Sequence, residues 1–220
     1  MKEKSKGLIV TGGIMDYEFA NAYLKNQSFD HVIAVDSGLL AVNRLNLKPD
    51  AIVGDFDSVD PDVFLEYQSS SDEITWDIHK PEKDETDTEL GINKAIVLGC
   101  TDLTLLGAMG GRMDHSLGNI HLLYDCLKRG VTASVIDSKN RVTVLDKKRW
   151  FYVDQVWGKY ISFLPLTMEV HGITLTGFKY PLHKKDITIG KSLCISNELI
   201  SETGSIDFDS GVLICVESHD

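Results

Sequence analysis

The chain has 220 residues, 43% of them hydrophobic and 25% charged, with 33 acidic against 22 basic side chains and a formal charge of -11. Such a composition fits one large folded domain or two small ones, and it excludes disordered and fibrous classes. It also excludes a nucleic-acid phosphate track, because proteins of that kind gather lysine and arginine on one face.

The first half alternates short apolar runs with helical stretches. Strands are expected over 8–10, 31–35, 51–53, 74–79, 103–106 and 132–136, and helices over 17–25, 39–45 and 89–98. A further helix opens at Pro61, with Val63, Phe64 and Tyr67 on one face. In the last helix of this half Leu117, Ile120, Leu123, Tyr124 and Leu127 recur at helical spacing until Gly130 stops it. Strands separated by helices imply a wound, mainly parallel sheet, an α/β domain over 1–140.

From about residue 141 to 220 the pattern changes. Short alternating stretches at 142–145, 150–153, 160–164, 169–175, 186–189, 192–195, 205–208 and 212–216 are separated by turns such as Trp157-Gly158, His171-Gly172 and Ser210-Gly211. A second, all-β domain of about eight strands follows, a sandwich or barrel, with the sandwich as the expectation. No linker rich in Pro, Gly or Ser separates the halves, so direct packing is expected.

No apolar run approaches the ~20 residues that span a bilayer. The N-terminal Met-Lys-Glu-Lys-Ser-Lys6 leads into a short apolar stretch without the h-region of a secretion signal, so a cytoplasmic protein without membrane attachment is expected. Cys100, Cys126, Cys194 and Cys215 never form Cys-x-x-Cys, which points to reduced, mostly buried thiols. The histidines show no His-Glu-x-x-His spacing for a catalytic zinc.

Three polar runs each sit just past an expected strand, where ligands bind in open α/β sheets. Gly54-Asp-Phe-Asp-Ser58 brings Asp55 and Asp57 out of one strand end, and Lys83-Asp-Glu-Thr-Asp-Thr-Glu89 carries Asp84 and Asp87. Carboxylate oxygens suit a hard cation, and magnesium is commonly shared between a few carboxylates and substrate phosphates. The third run, Gly110-Gly-Arg-Met-Asp-His115, places two glycines and Arg112 before a helix start; amides there attract phosphate and a guanidinium grips it bidentately. A dication also resolves the repulsion between an acidic chain and a triphosphate. The first two runs have plainer readings: a solvated turn with Ser58 capping the next helix, and a helix start in which Thr86 or Asp87 precedes Glu89.

Together with Val35-Asp-Ser-Gly38, Pro49-Asp50, Asn119, Thr176-Gly-Phe-Lys-Tyr-Pro-Leu182 and Ile195-Ser-Asn-Glu198, these runs resemble, in order and over most of the chain, the thiamine pyrophosphokinases. One departure is that several relatives have tryptophan where this chain has Tyr180. The resemblance implies transfer of the pyrophosphoryl group of ATP to the hydroxyethyl arm of thiamine, by attack of a primary alcohol on the β-phosphorus with AMP leaving.

On that resemblance Asp36, Asp55, Asp57 and Asp87 are expected to hold Mg2+, with a helix cap as the plainer role of Asp36. Asp84 either binds metal or orients the alcohol. Arg112 is expected to stabilise charge on the transferring phosphates, with a surface ion pair as its plainer role. Gly12, Gly13, Lys83, Thr86, Gly110, Gly111, Asp114, His115 and Asn119 are candidates for the nucleotide side, Lys83 having a solvated alternative and His115 that of a helix-start residue. Tyr180, Ser196 and Asn197 are candidates for the cationic thiazolium and aminopyrimidine of thiamine. A homodimer with the thiamine site shared between subunits is implied as well.

Two other functions compete. Asp55-Phe-Asp-Ser-Val59 also fits the nucleophile motif of haloacid-dehalogenase-like phosphatases. That reading requires an apolar strand running directly to the aspartate, where Gly54 is expected to interrupt, and a later Gly-Asp-x-x-x-Asp motif, of which the chain has no clear example. The other is a non-catalytic binding module.

Overall fold

The computed structural model describes residues 5–55, 67, 74–78 and 84–220. The expected helix beginning at Pro61 falls largely outside the described residues. The chain divides into two compact units, 1–138 and 139–220.

In the first unit six strands, β1 (Lys6–Val10), β2 (His31–Val35), β3 (Ala51–Gly54), β4 (Thr75–Ile78), β5 (Asp102–Leu106) and β6 (Thr132–Ile136), stand in the order β4-β3-β2-β1-β5-β6. Every pairing among them is parallel. The central strands read as continuous apolar runs because both faces are covered: Leu8, Ile9, Val10, Ile33, Ala34, Ile52, Val53, Leu103 and Leu105 are all fully buried. Winding runs one way from β1 to β4 and the other way from β5 to β6, so the order reverses between β1 and β5.

Among the described residues the helices with both ends defined are α1 (Tyr17–Leu24), α2 (Gly38–Arg44), α3 (Asp87–Val97) and α4 (Met113–Lys128). Asp16 caps α1 by accepting from the Phe19 N–H at 3.0 Å. At the end of α4 the Val131 N–H bonds to the Cys126 carbonyl and Gly130 to Leu127, closing a Schellman motif at Gly130. Asn46 fills the same place after α2, at φ 54°, with Leu47 bonded back to Val42.

The second unit holds β7 (Asn140–Leu145), β8 (Arg149–Tyr152), β9 (Tyr160–Pro165), β10 (Glu169–Thr176), β11 (Leu182–Thr188), β12 (Thr203–Asp207) and β13 (Leu213–Ser218). All their pairings are antiparallel, in the orders β7-β13-β9 and β11-β10-β12-β8. Side chains from both layers share one core, in which Phe151, Phe163 and Phe178 meet edge to face at 5.7 to 5.9 Å. This is the expected sandwich, with one correction. The stretch 192–195, expected as a strand, forms turns: Ile195 bonds back to Ser192, while the Cys194 carbonyl accepts from Phe163. Its alternation arises because only Cys194 points into the core, between exposed Leu193 and Ile195. All four cysteines are free and buried. No helix is long and apolar enough to cross a membrane among the described residues.

Candidate active site

A cleft of about 580 Å³ opens at the carboxyl ends of the parallel strands of the first unit. Its floor is the point where the strand order reverses: Thr11, Gly12 and Gly13 follow β1, while Gly107, Ala108, Gly110 and Gly111 follow β5. Such a switch point parts the loops on either side of it and leaves a crevice. The two loops are bonded across its base, Thr11 N–H to the Leu106 carbonyl and Gly13 N–H to the Gly107 carbonyl, both at 2.9 Å. A Cβ on Gly13 would lie 2.1 Å from the Gly107 oxygen, so this glycine serves the approach of one loop to the other.

One wall is acidic. Asp36 follows β2, Asp55 follows β3 and Asp87 opens α3, and all three line the cleft. Asp36 sits at φ 50°, and its N–H bonds to the Val53 carbonyl at 2.8 Å. That left-handed turn is a cost that aspartate bears better than most residues. Gly54 lies against it at φ 150°, where a side chain is disfavoured in any case and an added Cβ would come 3.1 Å from the Asp36 Cα. Ser37, not Asp36, occupies the N-cap position of α2. Gly54 also continues β3 rather than interrupting it, so Asp55 follows its strand directly. That removes the objection the sequence raised on this point against a phosphatase motif.

The other wall is the start of α4. Arg112 occupies the N-cap position without a side-chain cap bond and lines the cleft together with His115 and Asn119. Its guanidinium forks onto Asp114, Nε to Oδ1 at 3.1 Å and a terminal nitrogen to Oδ2 at 2.5 Å. The fork holds the Asp114 carboxyl down at about 2 and raises the Arg112 guanidinium in turn. Asn119 is buried and donates to the Ala108 carbonyl at 2.8 Å, tying the helix to the glycine loop. Thr86 caps α3, its hydroxyl accepting from the Glu89 N–H at 3.3 Å, so the helix-start reading holds for it while it also lines the cleft.

Of the residues expected on the nucleotide and metal side, Gly12, Gly13, Asp36, Asp55, Thr86, Asp87, Gly110, Gly111, Arg112, His115 and Asn119 meet in this one cleft. Asp84 and Asp114 are not among its lining residues. Asp57 and Lys83 lie outside the described residues. Thr11, Ser37, Glu85 and Thr88 line the cleft without having been singled out; each adjoins a residue that was.

Tyr180, Ser196 and Asn197 belong to the second unit. Tyr180 is 57% exposed, with the Lys179 ammonium 5.6 Å from its ring centre. Ser196 is exposed at φ 56°, and its N–H bonds to the Ser162 hydroxyl at 2.9 Å. Glu198 accepts from Lys179 at 2.9 Å and lies 3.6 Å from Lys159; the Lys179 bond is the main cause of its lowered carboxyl pKa.

Two family models match the chain, "Thiamin pyrophosphokinase, catalytic domain" over residues 21–135 and "Thiamin pyrophosphokinase, vitamin B1 binding domain" over 149–213. The thiamine pyrophosphokinase of Bacillus subtilis is 36% identical over 188 residues, 86% of this chain and 87% of that protein. A crystal structure of thiamine pyrophosphokinase from Bacillus subtilis superposes with a TM-score of 0.85 at 32% identity, covering 98% of this chain and 100% of that one. The thiamin pyrophosphokinase structure from Geobacillus thermodenitrificans gives 0.84 at 31% identity, with 98% of each chain covered. With most of the lining of its switch-point cleft in the part matched by the catalytic model, and Tyr180 and Ser196 in the part matched by the vitamin-binding model, the chain belongs to the thiamine pyrophosphokinase family.

Proposed function

We propose that this chain transfers the pyrophosphoryl group of ATP to the hydroxyl of thiamine, giving thiamine diphosphate and AMP. The observation that carries this reading is the cleft at the switch point, where Asp36, Asp55 and Asp87 face the glycine loop and Arg112. In such transfers the protein contributes alignment and charge neutralisation more than covalent chemistry. The glycine loops bring main-chain groups close to the phosphates. Arg112, 73% exposed and forked onto Asp114, offers a phosphate the same donors that it gives the carboxylate.

The all-oxygen donor set of Asp36, Asp55 and Asp87 suits a hard dication, and Asp57 adjoins it in sequence. Among the described residues no three His, Cys, Asp or Glu side chains are grouped so that they could hold a metal ion by themselves. An ion in the cleft would have to take most of its ligands from phosphates and water. When bound, Mg2+ would neutralise charge on the β- and γ-phosphate oxygens. Asp36, Asp55, Asp57 and Asp87 would hold it, and their own net charge is what makes the cleft repel free ATP.

Tyr180 offers an exposed aromatic ring for a cationic thiazolium, and Ser196, which precedes the Asn197 bonded to the Tyr180 main chain, an exposed hydroxyl. The working unit in this proposal is a cytoplasmic homodimer whose vitamin site draws on both subunits. Incubation with Mg-ATP and thiamine, with the nucleotide product resolved, tests the reaction: AMP together with thiamine diphosphate supports it. ADP would mean an ordinary kinase, a trapped aspartyl-phosphate on Asp55 a phosphatase, and no turnover a binding module.

A further inference from the structure

Asn197 stands between exposed Ser196 and half-buried Glu198 in the vitamin-binding part, and is itself 2% exposed. Its side-chain oxygen accepts from two main-chain N–H groups, those of Tyr180 and Glu198, each at 3.0 Å. Its side-chain nitrogen donates to the Tyr180 carbonyl at 2.9 Å. One side-chain amide thus satisfies both main-chain groups of Tyr180, standing in for a peptide group. With both acceptor positions of the oxygen filled, nothing remains on it to receive a hydrogen bond from an aminopyrimidine.

The surroundings hold this amide in place. The Asn197 main chain pairs with Ile161 in both directions, at 2.8 and 3.1 Å. Ser196, before it, is kept in the left-handed region and tied to buried Ser162. After it, the Glu198 carbonyl accepts from Lys179 and Ile200 donates to Gly177, with Phe178 opposite Leu199. Phe178 is locked in the aromatic core. The ladder along 177–179 therefore ends at a fixed point, and beyond it the Asn197 amide alone anchors the main chain of Tyr180 among the described contacts. Left-handed non-glycine backbone beside a buried amide costs free energy and persists where the surrounding structure over-determines it.

We infer that Asn197 is a positioning residue: it sets the direction of the Tyr180 ring and does not itself touch the vitamin. This rests on the reading in which the Tyr180 ring faces thiamine. Asn197→Asp keeps the two acceptor contacts and loses the donor to the Tyr180 carbonyl. It should raise the thiamine KM about tenfold with the ATP KM and kcat little changed, and residues acting through one another should couple in a double-mutant cycle. In a Tyr180→Ala background the same substitution should add less than about twofold, because nothing is left to position.

Full multiplication of the two effects would place Asn197 on the vitamin and overturn the inference. A Tyr180→Ala enzyme with unchanged thiamine KM would overturn the stacking reading and this inference with it. A ligand-free measurement guards against a variant that merely folds poorly. In protein labelled with fluorotyrosine, the Tyr180 resonance, assigned through Tyr180→Phe, should move in Asn197→Asp toward the value of a free side chain while the other tyrosine signals stay put. An unmoved Tyr180 resonance would overturn the positioning role.

Discussion

Arg112 and Asp114 illustrate how much one ion pair can report. The carboxyl is held near 2, below its value of about 3.9 in an unfolded chain. Because the folded value is the lower one, whatever the pair contributes is fully present above about pH 4 and is lost as pH falls through 2. Both side chains are well exposed, so the effect on stability is screened and the titration itself is the readout. In Arg112→Ala the Asp114 carboxyl should titrate close to the ordinary range, as followed by carboxyl-carbon NMR. The same variant should lower kcat far more than it raises the thiamine KM, since a phosphate contact strengthens as charge moves in the transition state. A change confined to the thiamine KM would move Arg112 to the vitamin. Asp55→Asn and Asp57→Asn should each cost about 10²-fold or more in turnover with unfolding curves unchanged, as measured by AMP release and urea titration.

At the scale of elements, the two loops at the floor of the cleft depend on each other. Gly13→Ala would push a methyl into the Gly107 carbonyl oxygen, and overpacking of that kind typically costs about 1–3 kcal/mol. The expected outcome is a lower urea midpoint together with a raised ATP KM, since both loops line the cleft. In the second unit Glu217 on β13 is fully buried and joins three elements. It pairs with Arg141 on β7 and Arg149 on β8, and it accepts from the Trp157 N–H at 2.9 Å. Arg149 also donates to the Thr143 hydroxyl at 2.8 Å. Glu217→Ala leaves two partly buried guanidinium groups without their partner, so it should destabilise the protein by up to roughly 3–5 kcal/mol in equilibrium unfolding. A loss under about 1 kcal/mol would mean that the arginines find water instead.

For the whole molecule, the proposed sharing of the vitamin site between subunits has a direct test. Asp55→Asn damages the nucleotide side and Tyr180→Ala the vitamin side. Subunits carrying one or the other, mixed and allowed to exchange, should regain activity at thiamine concentrations well below KM. Half of the dimers formed at random are mixed and each holds one intact site of two, so recovery should approach roughly a quarter of the wild-type value. No recovery after exchange verified by mass spectrometry would mean that each chain builds its own site.

Much was legible from the sequence because its causes are local. Hydrophobic period, helix starts such as Thr86 and stops such as Gly130 depend on neighbours a few residues away. They place the six parallel strands and four helices named in the first unit, among the described residues, within a few residues of where they stand. The order of the polar motifs, in turn, identified the family. What the sequence left open depends on contacts between distant residues. Alternation at 192–195 looks the same whether it marks a strand or a turn with one anchored side chain, and only the Phe163 bond to Cys194 decides it. Asp84 and Asp87 are equivalent in composition, but the helix start turns Asp87 into the cleft lining and leaves Asp84 out of it. Asn197 looks from its motif like a ligand-facing amide, and becomes an anchor only because Tyr180 and Ile161 close around it from remote parts of the chain. Spacing along the chain reports the periodic burial of neighbours; which polar atoms a buried group spends, and on whom, is decided when strands far apart in sequence come to lie side by side.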